Sequence, residues 1–130
     1  MRRVILDTNF LLLPFQFKID ILSEIEALIG RFEPIVLSTT VDELKKLSNS
    51  RSVKISKMAS SALELIRKFR VLEVNVKPGE RYDEVLLRIA KENNCIVATN
   101  DRELRKKLRE TGITTIFLRQ RSYLQIEGHS

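Results

Sequence analysis

The sequence predicts an α/β fold, a three-layer α/β/α sandwich around a five-stranded, mainly parallel sheet, in one domain spanning residues 1–130. Three observations lead there. Short apolar runs rich in β-branched residues recur along the chain, each too brief for a helix, as strands buried on both faces require. Segments with helical spacing stand between them. Strand-helix-strand crossovers are right-handed almost without exception, and they lay helices on both faces of a parallel sheet.

In order, Val4-Ile5-Leu6 is the first strand, stopping abruptly at Asp7-Thr8-Asn9. Phe10 to Phe17 is unusually apolar, and Pro14, lacking an amide hydrogen, should end or kink a helix begun there, so a hydrophobic loop or short helix is expected. Ile21, Leu22, Ile25, Leu28 and Ile29 carry helical spacing on from Ile19 and finish at Gly30, a residue suited to the left-handed C-cap. Pro34 to Leu37 is the second strand. Ser38-Thr39-Thr40 supplies hydroxyls for a helix start, with Val41, Leu44 and Leu47 as the buried stripe. After the polar break at Ser48 to Ser52, a long helix is expected from Val53 to Phe69, and a third strand from Val71 to Val74. Lys77-Pro78-Gly79 is a turn, Tyr82 to Glu92 a helix and Ile96-Val97-Ala98 the fourth strand. Asp101 opens a very basic helix through Arg109, Thr111-Gly112 ends it, and Thr114 to Leu118 is the fifth strand. The tail after Arg119 receives no assignment.

At 130 residues the chain can bury a core without disulfides or a structural metal. Its composition, 43% hydrophobic and 31% charged, is that of a soluble globular protein. No apolar stretch reaches the length of a membrane span or signal peptide, so a cytoplasmic protein without membrane association is expected. Cys95, the single cysteine, adjoins Ile96-Val97-Ala98 and reads as a small core residue in a reducing compartment. With 23 Lys and Arg against 17 Asp and Glu, the formal charge of +6 attracts polyanions. Surface ion-pair networks account for such a balance equally well.

Four acids stand at strand ends or at the starts of the following helices: Asp7, Glu43, Asp83 and Asp101. Asp7, Glu43 and Asp101 share the carboxyl edge of the sheet, where open α/β folds bind ligands. Asp83 opens the helix before the fourth strand and joins them if the third and first strands flank the crevice. Each has a plainer explanation. Thr40-Val41-Asp42-Glu43 is a capping box by sequence, Asp101 suits an N-cap, and Asp83 gains from a helix macrodipole. Caps do not explain why carboxylates gather along one edge, where mutual repulsion is costly without a cation. An oxygen-only set suits Mg²⁺ or Mn²⁺ rather than zinc. His129, the single histidine, is almost at the end of the sequence. With no histidine base and no nucleophilic cysteine or serine, the remaining route is metal-activated water attacking a phosphodiester, with one or two ions.

The order Asp7-Thr8-Asn9, Glu43, Asp83 and Thr99-Asn100-Asp101, across nearly the whole chain, resembles that of PIN-domain nucleases. The resemblance implies that Asp7, Glu43, Asp83 and Asp101 bind the metal and carry catalysis, that Asn9 and Thr99 support them, and that the substrate is RNA. Glu84 could share the duty of Asp83. Two branches fit: nucleases that cut precursor ribosomal RNA, acting in a ribosomal-precursor particle, and VapC-type toxins, ribonucleases held inactive by an antitoxin protein.

Candidate RNA contacts are Lys45, Lys46, Arg51, Lys54, Arg102, Arg105, Lys106 and Arg119, although exposed charge runs are commonly just solvated faces. Tyr82 could stack on a base or serve as a core or rim residue. The apolar Leu11 to Phe17 segment suggests a homodimer or partner surface. Two rivals fit poorly. A phosphoryl-accepting receiver domain needs an acid after the third strand, where Val74-Asn75-Val76 stands, and a dehalogenase-like phosphatase needs an acid where Asn9 stands. A PIN fold kept as a catalytically weak RNA-binding or scaffold module is the alternative of a different class.

Overall fold

Inward-pointing side chains alternate along the first strand, and that alternation builds two cores. The computed structural model describes residues 1–128. β1 (Arg2–Leu6) sends Val4 and Leu6 to one face and Ile5 to the other. The first face is covered by α1 (Thr8–Phe17), α2 (Ile21–Ile29), α3 (Ser38–Ser48) and α4 (Val53–Leu65), whose Phe10, Leu11, Ile25, Leu44 and Ala62 complete that core. The second is covered by α5 (Tyr82–Glu92) and α6 (Arg102–Glu110), through Val85, Leu86, Ile89, Leu104 and Leu108. The two cores cover both faces of the inner strands, which is why those strands read as apolar runs.

The remaining strands are β2 (Phe32–Leu37), β3 (Arg70–Leu72), β4 (Ile96–Ala98), β5 (Thr115–Arg119) and β6 (Tyr123–Glu127), in the order β3-β2-β1-β4-β5-β6. The first five are parallel; β6 runs antiparallel to β5. The result is an α/β fold with a mixed sheet of six strands, one more than the sequence suggests. The missed strand lies behind an unusual turn. Gln120 and Arg121 both take positive φ, 54° and 57°, and Ser122 N–H donates to Arg119 O at 3.1 Å, so a type I′ turn is made without the Gly or Asn that normally signals it.

The order reverses between β1 and β4, not between the third and first strands, so the crevice at the carboxyl edge opens where Leu6 pairs with Ala98. Other differences are local. Pro14 lies inside α1 without ending it; the helix stops at Lys18, in the left-handed conformation. The long helix ends at Leu65 and tightens into a 3-10 turn at Ile66–Lys68. The third strand stops at Leu72 because its partner β2 ends at Leu37; Val74 N–H donates instead to Ser38 Oγ at 3.0 Å. Cys95 is buried, as expected. Among the described residues no helix is long and apolar enough to cross a membrane. His129 lies outside the described residues.

Candidate functional site

β1 delivers Asp7 to the bottom of the crevice, where it N-caps α1 and is only 4% exposed. Its Oδ1 accepts from Thr8 N–H at 2.8 Å and from the Tyr82 hydroxyl at 2.9 Å. Its Oδ2 accepts from Thr99 Oγ1 at 2.9 Å and from Asn9 Nδ2 at 3.1 Å. Four donors from three separate elements thus fix one carboxylate. Burial nevertheless pushes its pKa above the ordinary value; the bonds from Thr99, Thr8 and Tyr82 oppose this, and the charge of Glu43 adds to it.

Glu43 is not in a capping box. The Thr8 hydroxyl donates to Glu43 Oε1, and Thr40 shares a hydrogen bond with the Tyr82 hydroxyl instead of closing on Glu43. α3 begins at Ser38 with Leu37 as N-cap, so Glu43 lies a turn further along than the box requires and reaches across to α1. Among the described residues neither Asp7 nor Glu43 has a lysine or arginine partner.

On the other side of the crevice, β4 hands on to Thr99, Asn100 and Asp101. Thr99 Oγ1 accepts from Asp101 N–H at 3.1 Å while donating to Asp7, so it ties the two acids together. Asn9 Oδ1 accepts from Asn100 N–H at 2.9 Å, and Asn100 Oδ1 accepts from Leu118 N–H at 2.8 Å. Asp101 caps α6, with Oδ1 taking the amides of Glu103 and Leu104 at 3.0 and 3.1 Å. Asp83 is paired with a lysine: its Oδ2 meets Lys107 Nζ at 2.6 Å, which holds its carboxyl below the usual range. Glu84 accepts from Arg81 N–H at 3.2 Å and closes its own helix start.

The four acids therefore do not converge as the sequence suggests. Among the described residues no three His, Cys, Asp or Glu side chains lie close enough together to hold a metal ion. Asp83 is paired with a cation from α6, and Asp101 is engaged by its own helix. The donors fit a hard divalent ion in kind, being carboxylate oxygens with no imidazole or thiolate. The part that fits in place is Asp7 with Glu43, a buried carboxylate and a second acid one hydroxyl away, neither paired with a lysine or arginine among the described residues.

Tyr82 is neither a free stacking platform nor a rim residue. Burial first, and the Asp7 charge next, push its phenol pKa up, so it stays a proton donor to Asp7. Sequence reasoning missed the Thr8, Thr40 and Lys107 contacts, for which no local pattern exists. Of the candidate RNA contacts, Lys45, Lys46, Arg51 and Lys54 are exposed around the α3–α4 junction, and Arg102, Lys106 and Arg119 are exposed on the β4–β5 side. Arg105 is half-buried, its guanidinium 3.4 Å from the centroid of the Phe117 ring. Within Leu11–Phe17, Leu11 and Leu13 belong to the core, and only Phe15 and Phe17 are exposed large hydrophobics.

Comparison with known proteins agrees with this architecture. The chain is 41% identical over 132 residues to Ribonuclease VapC4 of Methanocaldococcus jannaschii, covering 98% of each. It is 29% identical over 111 residues to the rRNA-processing protein FCF1 of Saccharomyces cerevisiae, covering 83% of this chain but 54% of that protein. It superimposes on the PIN domain endonuclease Utp24 with a TM-score of 0.79 at 26% identity, covering 98% of this chain and 92% of that one. Residues 4–121 match the family described as PIN like domain. The chain belongs to the PIN-domain family, which includes VapC-type ribonucleases and other PIN-fold nucleases.

Proposed function

We propose that the protein is a metal-dependent endoribonuclease acting through one domain, with Mg²⁺ or Mn²⁺ held by Asp7, Glu43 and Asp101, and by Asp83 once Lys107 releases it. The observation that carries this is the Asp7 carboxylate, buried at the reversal of strand order beside Glu43 and, among the described residues, without a lysine or arginine partner. When bound, the ion supplies Lewis acidity and lowers the pKa of water for attack on a phosphodiester. Asn9, Thr99 and Tyr82 hold Asp7 in place and keep it an acceptor. Family membership and the +6 charge support RNA as the polyanion, with Lys45, Lys46, Arg51, Arg102, Arg105 and Arg119 along its path.

The 41% identity to a VapC ribonuclease over both full lengths supports the toxin role, with an antitoxin protein as partner. The likeness to FCF1 keeps a role in ribosomal-RNA processing as the other branch. Phe15 and Phe17 are the apolar residues left for a homodimer contact, which sedimentation over a range of concentrations tests. The test of function is incubation of purified protein with labelled RNA, with Mn²⁺ and with chelator. Cutting that needs the ion and is lost in Asp7→Asn supports the reading, while equal cutting by both proteins assigns it to a contaminant.

A catalytically weak RNA-binding or scaffold module is the second reading, favoured by the Asp83–Lys107 pair and by the engagement of Asp101 with its own helix. Tight binding of intact RNA without ion-dependent cutting would support it.

A further inference from the structure

At the same carboxyl edge, on the α6 side of the sheet, a cavity of about 500 Å³ opens between the end of β5 and the start of α6. Arg102, Arg105 and Arg119 line it, Phe117 is its floor, and Asn100 forms the wall shared with the acidic crevice. We propose that this cavity is a phosphate-binding subsite, taking one or two backbone phosphates of the RNA whose adjoining phosphodiester lies at Asp7. The inference rests on the nuclease reading above and assigns a place on the strand to one group of arginines.

Three features separate this cluster from an ordinary basic face. Arg105 is fixed before any ligand arrives, because its guanidinium stacks on the buried Phe117 ring. Its Nε is shielded from solvent and has no acceptor among the described residues, which costs free energy as it stands. Burial, and the nearby guanidiniums of Arg109, Arg119 and Arg102, hold its pKa below the ordinary value; Glu127 opposes them, itself engaged 3.5 Å from Arg109. Planar guanidiniums meet phosphate oxygens in pairs of parallel hydrogen bonds, so an anion here relieves the repulsion among these cations.

Position makes this a nucleic-acid subsite rather than a pocket for a free ion. Asn100, in the cavity wall, donates its N–H to Asn9 Oδ1, and Asn9 in turn donates to Asp7, so two hydrogen bonds separate the arginine cavity from the buried carboxylate. A strand lying across the crevice reaches both. Arg102 and Arg119 are exposed at the rim and can follow it.

The test measures binding of a labelled RNA oligonucleotide by fluorescence anisotropy in chelator, which withholds the ion that cleavage needs, across a range of salt. For a single strand the slope of log K against log salt changes by about 0.7 for each phosphate that is no longer neutralised. Arg102→Ala/Arg119→Ala should flatten the slope by about 0.7 for one phosphate to 1.4 for two, with the thermal midpoint unchanged because both residues are exposed. Arg105→Gln should weaken binding further. Lys68→Ala/Lys91→Ala, exposed at the opposite, amino edge of the sheet, should leave the slope near wild type. An unchanged slope in the Arg102/Arg119 variant, or an equal flattening in the Lys68/Lys91 variant, overturns the subsite. Cleavage is measured separately with unmodified RNA and Mn²⁺. A localised slope change in a protein that never cuts keeps the subsite and removes the nuclease reading; cutting with no slope change does the reverse.

Discussion

Lys107 Nζ lies 2.6 Å from Asp83 Oδ2, a contact from α6 to the first turn of α5 that gives this acid a cation of the protein's own. Lys107 is 44% exposed at its side chain and Asp83 21%, so solvent screens the pair and its contribution to stability is small. Its larger effect is to occupy the carboxylate. Lys107→Met should leave the thermal midpoint within a few degrees and lower the Mn²⁺ concentration at half-saturation several-fold, since a freed fourth acid adds a ligand. Calorimetric titration measures this, and unchanged binding in the variant would place Asp83 outside the ion's reach.

Tyr82 joins Thr40 on α3 to Asp7 at the N-cap of α1 from the first turn of α5. Tyr82→Phe removes the hydroxyl from both and should cost about 1 kcal/mol, read by urea unfolding. The Tyr82 bond also lowers the Asp7 pKa against the rise caused by burial. Without it the carboxylate protonates more readily, so the acid limb of the cleavage profile should move to higher pH. A profile superimposable on wild type would mean that Asp7 ionisation does not govern the rate.

Asp7 should also cost the folded chain stability at neutral pH. Its folded pKa is raised above the ordinary 3.8, so between those two values the folded protein keeps a proton that the unfolded chain gives up. Its contribution to stability is therefore highest below 3.8 and falls as pH rises through the folded pKa. Asp83, Asp20 and Glu80, with lowered values, act in the opposite sense, so the difference between wild type and Asp7→Asn isolates the effect. Asp7→Asn should gain roughly 1 kcal/mol at pH 7 and lose that advantage in acid. Urea melts at several pH values decide it; a variant less stable at neutral pH would show the four hydrogen bonds outweighing the desolvation.

How far the sequence revealed this molecule depends on how local each signal is. The inner parallel strands were legible because burial on both faces leaves unbroken apolar runs, and β4 falls where Ile96-Val97-Ala98 predicts it. β6 was hidden because its turn uses Gln120 and Arg121 at positive φ. In the site, the placement of Asp7 and of Thr99-Asn100-Asp101 followed from strand ends alone. The contacts of Thr8 with Glu43, Tyr82 with Thr40 and Lys107 with Asp83 join residues 35, 42 and 24 positions apart, and nothing in local spacing announces them. Glu43 shows the ambiguity best: its capping-box pattern was genuine as sequence, but the helix starts at Ser38 and the carboxylate serves another element.

The claim that these acids form a site for a hard cation is tested most directly by thermal unfolding of wild type, Asp7→Asn and Glu43→Gln across a titration with Mn²⁺ at pH 7. Binding to the folded state alone raises the midpoint with ion concentration, by about 2.7 kcal/mol of stability at a hundred times Kd. Wild type should show that rise, reversed by chelator and weakened in acid as Asp7 takes up its proton, and both variants should lose most of it. A wild-type midpoint that stays flat over the whole titration, or one that rises equally in all three proteins, would contradict the account.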